Sequence, residues 1–567
     1  MLTTGYLLLI VGGCAIILWT VISVCYLTLA TGSKREPITF DSFTIKKAVY
    51  LSMIAMINVG MSAVAFLFAD QQALYITLII LKSKDVIMAF TQVVHLGYCG
   101  VCWCVNQVVT RCSTPIQSDQ ESTSSSRKKQ TSTIVSLIPV YSEPKDQIDV
   151  TINTCIDNTD ENKQLVAIIC DGIDVNVQDN LTQIVHQSSE AYVSWKQKKN
   201  VLDVTYGFIK DTPCVIVKKR HNQGKKDTLI IGHDIFNVAR TDMPLENVVL
   251  RERVRAQLSK LYGMETFDYM FCTDADSLIM KDSFNCLIDT IERSKAIACC
   301  GLVVIDFSES QWSFWNIYQN FQYLYGQYVR RGTENLYGKV SCLPGCITMF
   351  KIDEIAAKAI AMYAQLPQEG EMLKSIVQLL GTDRRLTSSF LYQDKSVITA
   401  YDPRAKCYTI PPATLTSYLS QRRRWGSNAY FNTMCNIVAP NIHPFMRVFS
   451  FMDYVRMSLA YFRVFNTILF VYSLTQGVVW TNILPFIIVM LFPTTFFMIR
   501  TLFDSFTRAM YPKIIIGYVF NKACSILITL MIISNMLYNI GSAKWGGNQK
   551  DAPPLEAKDP QQIVVEK

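Results

Sequence analysis

Gln421-Arg422-Arg423-Arg424-Trp425 sets three guanidiniums side by side just ahead of a strongly apolar C-terminal region. A guanidinium fork matches phosphate oxygens bidentately, so the run suits a doubly charged phosphate. Basic runs beside membrane segments also meet lipid headgroups, and on this stretch alone the two readings stand level. Upstream, the apolar strand ending at Phe271-Cys272 runs into Asp274-Ala275-Asp276. Alternating carboxylates at a strand end point the same way, and they repel unless a cation sits between them. A hard divalent cation bridging to a diphosphate relieves that repulsion, because Mg²⁺ takes few carboxylates plus phosphate oxygens. A capped turn is the plainer account of the same residues.

Three further motifs carry the same kind of chemistry. Asp171-Gly172 closes the apolar strand Val166–Cys170, where an acid can accept hydrogen bonds from a nucleoside. Taken alone it reads as an Asp-Gly turn. Asn222-Gln223-Gly224-Lys225-Lys226-Asp227 follows an apolar strand and opens a helix-like segment. A helix N-terminus with glycine and lysine is an anion site, although a lone Gly-Lys-Lys is usually a surface loop. In Gly381-Thr382-Asp383-Arg384-Arg385 the two arginines are expected to keep Asp383 ionised, fit to act as a general base. The bland alternative is a helix-start aspartate in an ordinary ion pair. Each motif is weak alone. Their order, nucleoside acid, phosphate lysine, Asp-x-Asp, base, then Gln-x-x-Arg-Trp beside apolar segments, argues for one site.

The elements that position these residues follow from patterning. The chain has 567 residues, too many for one ordinary domain. Half are hydrophobic and 18% are charged, with the apolar residues gathered at both ends, so membrane segments are expected. The net charge of +8 comes without a basic stripe interleaved with aromatics, which argues against nucleic acid. The 18 cysteines lack zinc spacing with histidine and read as reduced thiols.

Residues 1–33 carry no charge and include an apolar run long enough to span a bilayer, read as an uncleaved anchor. Further runs cover Ala48–Ala69 and Val86–Val109, with the short apolar piece Ala73–Leu81 between them. Lys34, Arg35, Lys46 and Lys47, then Arg111, Arg127, Lys128 and Lys129, put both flanking loops in the cytosol by the positive-inside rule. Residues 113–132 read as a flexible linker. Residues 133–412 alternate β-branched runs with helix-like stretches, an α/β pattern with a mixed, largely parallel sheet inserted between N-terminal and C-terminal transmembrane α-helices. The expected strands are Thr133–Val140, Val166–Cys170, Val215–Lys218, Tyr269–Cys272 and Ile297–Ile305. Ligands of such sheets bind at the carboxyl ends of the strands, where Glu143, Asp171, Asp274 and Asp276 fall. Residues 413–453 read as amphipathic interface helices. Residues 454–541 read as transmembrane or interfacial helices, with apolar runs Tyr454–Leu474, Ile483–Ile499 and Ile514–Ile540, and residues 542–567 as a Trp-Gly-Gly loop and tail.

Ile168-Ile169-Cys170-Asp171-Gly172, Asn222 to Asp227, Ser341-Cys342-Leu343-Pro344-Gly345-Cys346 and Gln421 to Trp425 resemble the processive, inverting family-2 membrane glycosyltransferases. That group contains the chitin, hyaluronan and cellulose synthases, and within it the chain most resembles chitin synthases. Thr382 stands where fungal chitin synthases usually have glutamate, and Trp545-Gly546-Gly547 where the family has Trp-Gly-Thr. The resemblance implies a GT-A-type domain with a cytosolic active site above a membrane channel, in an integral protein of the plasma membrane. It implies that Pro139, Tyr141, Glu143 and Asp171 hold the uridine and that Lys225 lies near the phosphates. Asp274 would line the donor site and Asp276 would ligate Mg²⁺ or Mn²⁺. Asp383 would deprotonate the acceptor, Gln421, Arg424 and Trp425 would hold the diphosphate and acceptor sugar, and Trp545 would close over the nucleotide. The implied donor is UDP-GlcNAc, the products UDP and a growing chitin chain, and the setting a lipid bilayer; a homo-oligomer is compatible with this reading. Two alternatives stand beside it: a hyaluronan synthase that also uses UDP-GlcA, and a nucleotide-sensing channel or transporter. If Ile514–Ile540 crossed the bilayer, Trp545 would land outside. Asn521 and Lys522 in that run favour an interfacial, re-entrant or protein-buried helix with a cytosolic C-terminus.

Overall fold

The computed structural model describes residues 2–28, 44–112, 131–159, 162–172, 177–308, 311–366, 372–380, 382–478 and 480–540. Trp545, most of the expected linker and the C-terminal tail lie outside the described residues.

Ten strands form one sheet: β1 (Thr133–Val140), β2 (Lys163–Asp171), β3 (Gln183–Val193), β4 (Lys199–Ile209), β5 (Thr212–Lys219), β6 (Tyr269–Cys272), β7 (Leu278–Ile279), β8 (Ala298–Ile305), β9 (Thr348–Lys351) and β10 (Thr399–Thr409). Their spatial order is β3-β4-β5-β2-β1-β6-β9-β8-β10-β7. The centre, β5-β2-β1-β6, is parallel, as is β8 with β10, while β3, β4, β7 and β9 pair antiparallel. Period-two alternation divides the core. Val135 and Leu137 of β1 and Leu165, Ala167 and Ile169 of β2 enter one cluster, while Ile134, Ile138, Val166, Ile168 and Cys170 enter the other. Burial on both faces is why these strands read as unbroken apolar runs. The first face is covered by Lys225–Phe236 and Leu245–Tyr262, the second by Lys145–Ile156 and Ser283–Ser294. The parallel centre makes β1, β2, β5 and β6 deliver their carboxyl ends to one edge.

The helix Phe314–Tyr325 continues through a π-helical turn, Gly326–Arg331, into Gly332–Leu336. Gln327 in the wide turn exchanges hydrogen bonds with the backbone of Val303 on β8, at 2.8 and 2.7 Å. Gln92 donates to the carbonyls of Tyr328 (2.9 Å) and Val329 (2.7 Å). A side chain from the N-terminal helices thus meets carbonyls in the π turn, where the α-helical bonding pattern is broken.

The apolar piece Ala73–Leu81 and the run Val86–Val109 are not separate: both lie in one helix, Gln71–Cys112, about 63 Å long at 1.5 Å per residue. The charges between them do not break it, because Lys84 pairs with Asp453 and Asp85 with Arg330. The run Tyr454–Leu474 is divided between Pro444–Ser458 and Ala460–Thr475, bent by 69°. Among the described residues three helices, Ile45–Phe68, Ile483–Phe503 and Tyr511–Tyr538, are long and apolar enough to cross a membrane, or four if the bent pair is one span. Tyr511–Tyr538 packs along protein on one side. A Cβ at Gly517 would lie 2.7 Å from the Ile317 carbonyl oxygen, so glycine lets this helix lie close on Phe314–Tyr325. At its other end Leu537 and Ile540 share a cluster with Trp19, Tyr50, Leu373, Tyr430 and Met434.

Candidate active site

The carboxyl edge of the parallel strands gathers most of the expected residues. Asp171 ends β2 and is buried. Its carboxylate accepts the backbone N–H groups of Gln223 (2.9 Å) and Gly224 (2.7 Å) and pairs with the buried Lys219 ammonium at 2.8 Å. Gly172 has φ 81°, and a Cβ there would lie 2.3 Å from Asn222 N, so only glycine lets the two loops touch. Asp227 shares Lys219 at 3.1 Å. Asp171 therefore fixes the loop that launches Lys225–Phe236.

Lys225 is the first residue of that helix, and its ammonium bonds Asp274 just beyond β6. Burial works against its charge, but Asp274 and Asp383 outweigh burial and hold the ammonium above the usual lysine range. Asp383 begins the helix Asp383–Leu391. It accepts the N–H of Gly345 at 3.0 Å, while Leu343 N–H donates to Thr387 Oγ1 at 3.0 Å. Two bonds thus staple the Cys342–Cys346 loop onto the helix that carries Asp383. A Cβ at Gly345 would lie 2.8 Å from Lys225 Nζ and 3.2 Å from each Asp383 oxygen. The expectation that Arg384 and Arg385 serve Asp383 is corrected for Arg385. That guanidinium is turned to the Tyr392 ring, 5.8 Å away, and the ammonium facing Asp383 is Lys225's. A helix start sends consecutive side chains in different directions, so adjacency in sequence is not adjacency in space.

Burial first, then the carboxylates of Asp274 and Glu143, push Asp276 up to about 6. Glu143 also accepts the N–H groups of Tyr141 (2.7 Å) and Ser142 (3.1 Å), which folds the loop after β1 back on itself. Among the described residues no three His, Cys, Asp or Glu side chains form a finished metal cage. Two or three mutually repelling carboxylates without a cage fit a hard cation that completes its shell with phosphate oxygens and water. Pro139 lines a cavity at this edge together with Lys225, Thr273, Pro344, Gly345 and Asp383.

Gln421, Arg424 and Trp425 lie on Leu415–Val438, which starts with a capping box between Thr414 and Ser417. Burial and then Arg423 depress the Arg424 guanidinium, while Asp274 and Asp383 act the other way, so Arg424 lies within the field of the same carboxylates as Lys225. The Oε1 of Gln421 is buried with no hydrogen-bond partner among the described residues. Trp425 is 45% exposed. Arg422 and Tyr323, absent from the expected set, position it: the guanidinium lies 4.7 Å from the Trp425 ring centre, 4.9 Å from Tyr418 and 5.4 Å from Tyr323. The i, i+3 spacing of Arg422 and Trp425, with Tyr418 one turn before, was the available signal. Lys225, Asp274, Asp383 and Arg424 thus converge from four elements, with Asp276 and Glu143 beside them and Asp171 behind.

Residues 191–520, more than half of the chain, match the family model described as chitin synthase. The chain belongs to the chitin synthase family. Among its relatives, chitin synthase 8 of Gibberella zeae is 26% identical over 335 residues, 54% of this chain and 50% of that one. Chitin synthase 8 of Verticillium dahliae is 25% identical over 364 residues, 56% of this chain and 59% of that one. The chain spans about half the length of the curated chitin synthases it matches first. A solved mannosyltransferase from Pyrobaculum calidifontis, in complex with GDP-Man and Mn²⁺, aligns over 83% of this chain and 99% of that one, with a TM-score of 0.41 and 11% identity.

Proposed function

We propose that the chain is a processive, inverting glycosyltransferase with a GT-A-type catalytic domain. It polymerises N-acetylglucosamine from UDP-GlcNAc into β-1,4-linked chitin and passes the polymer across the plasma membrane from a cytosolic site. The observation that carries this is the convergence of Lys225, Asp274, Asp383 and Arg424 at one sheet edge, with half-exposed Trp425 on the same helix as Arg424.

Asp383 takes the proton from the 4-hydroxyl of the terminal sugar. That oxygen attacks C1 of the donor from the face opposite the phosphate; the new O–C1 bond forms as the C1–phosphate bond breaks, and UDP leaves with the electron pair. Lys225 and Arg424 offset the charge that builds on the diphosphate. Trp425 gives the uncharged acceptor ring a flat platform, which favours near-attack geometry. Pro139 near the end of β1, Tyr141 and Glu143 on the loop after it, and Asp171, on the neighbouring strand, flank the uridine pocket in this reading. A Mg²⁺ or Mn²⁺ held by Asp276 beside Asp274 would neutralise diphosphate charge.

The test uses purified protein in vesicles with labelled UDP-GlcNAc and Mg²⁺ or Mn²⁺, without UDP-GlcA. A polymer that chitinase digests and hyaluronidase does not is the expected result. Polymer only after UDP-GlcA is added would make the chain a hyaluronan synthase. Folded protein that binds UDP and makes no polymer with either donor would overturn the enzymatic reading.

A further inference from the structure

A second charged cluster lies at the junction between the sheet domain and the apolar helices. Lys84 pairs with Asp453, and Arg330 holds Asp85 through bonds of 2.9 and 3.2 Å. Those pairs use both carboxylates, yet the cations do not end there. Arg456 reaches Asp453 only at 3.5 Å, and its Nε is buried with no hydrogen-bond partner among the described residues. The side chains of Lys82 and Arg463 make no hydrogen bond or ion pair among the described residues. The charged neighbours of Lys82 are Lys522, Asp85, Arg330 and Arg456, and those of Arg463 are Arg456, Asp85 and Arg330. Lys522 is exposed at the flank, its ammonium 5.5 Å from the Tyr518 ring. Five elements contribute: Gln71–Cys112, the π turn, Pro444–Ser458, Ala460–Thr475 and Tyr511–Tyr538.

Lys82, Arg456 and Arg463 are half-buried between the helices, and cations partly shielded from water need a counter-charge. Two carboxylates cannot neutralise this set, and an uncharged N-acetylglucosamine polymer brings no charge of its own. Ionisable groups on membrane helices mark ligand paths, and basic pockets between such helices collect anionic headgroups. We propose that Lys82, Arg456 and Arg463, with Lys522 at the open flank, form a binding site for a phosphate group carried by an anionic lipid that enters from the bilayer.

The experiment measures lipid retention by native mass spectrometry and thermal unfolding of the full chain in detergent. The probes are phosphatidylserine, phosphatidylcholine and inorganic phosphate. Phosphatidylserine should be retained and raise the unfolding midpoint; phosphatidylcholine should do neither. Lys82→Gln and Arg463→Gln should each weaken phosphatidylserine retention roughly tenfold, the loss of one charge-assisted bond. Arg463→Lys should keep most of it, and Lys199→Gln, at the exposed start of β4, all of it. Competition of wild-type retention by inorganic phosphate keeps the test decisive if a variant misfolds. Full displacement, with the same midpoint shift from phosphate alone, would assign the site to a soluble phosphate and overturn the lipid source. Equal retention of the two lipids, or glutamine variants that bind like wild type, would overturn the site itself.

Discussion

The two charged clusters are opposites. At the sheet edge Glu143, Asp274, Asp276 and Asp383 face Lys225 and Arg424; at the junction Lys82, Lys84, Arg330, Arg456 and Arg463 face Asp85 and Asp453. Neither balances itself. The acid surplus sits at a sheet edge and the basic surplus between helices, and each is partly open to water, with Asp274 37% and Arg330 34% exposed. A protein surface rarely needs such bias for folding, because buried charge costs stability unless paired. Each imbalance suits an incoming charge of the other sign: the metal and nucleotide of the proposed reaction at one, the proposed anion at the other.

The acid-rich cluster gives the largest effects. Asp383→Asn should cut polymer formation by roughly 10²–10⁴-fold while UDP binding persists, since one general base is lost and the pocket is not. A channel with a nucleotide sensor would keep its function in that variant. Arg424→Gln should reduce turnover by roughly 10²–10³-fold, the usual cost of removing one donor aimed at developing charge. Asp276, raised to about 6, must be ionised to hold a metal, so Mn²⁺ affinity should fall about tenfold per pH unit below that value. Because its folded value lies above the ordinary 3.8, the ionised group opposes folding. Its stabilising contribution is full below the unfolded value and lost as pH rises through about 6. Mn²⁺ should therefore raise the unfolding midpoint more at pH 7 than at pH 5. The smallest effect is Gly345→Ala. Its methyl would crowd Lys225 Nζ and the Asp383 oxygens, lowering turnover by roughly tenfold or less while the unfolding midpoint stays close to wild type.

What the sequence disclosed follows from burial. β1, β2, β5, β6 and β8 were legible because both faces are covered and the runs are apolar throughout. The β3–β4 hairpin escaped notice because its outer strand, with Gln183, Gln187 and Ser188 among its residues, is polar and largely exposed. β10 was hidden by Asp402, Pro403 and Arg404 at a shift of register, where Arg404 and Asp402 pair with each other. The site motifs could be read singly, each at a strand end or helix start. The Lys225–Asp274–Asp383 contact could not, since it joins residues far apart in the chain. Nor could the 42-residue helix be read through Lys82, Lys84 and Asp85, because the partners of Lys84 and Asp85 come from Asp453 and Arg330.

The wide turn at Gly326–Arg331 makes length, as well as composition, a constraint on heredity. Gln327 engages the sheet and Arg330 engages Asp85 only because the turn carries more residues than an α-helical one. Deleting one codon there would restore α-helical winding with the flanking helix nearly in place, but would close the wide turn whose carbonyls Gln92 meets and re-aim Gln327 or Arg330. Point changes along this rod would be tolerated or not one contact at a time. A single-residue deletion would loosen the contacts that Gln92, Gln327 and Arg330 make between the sheet domain and the N-terminal helices in one step.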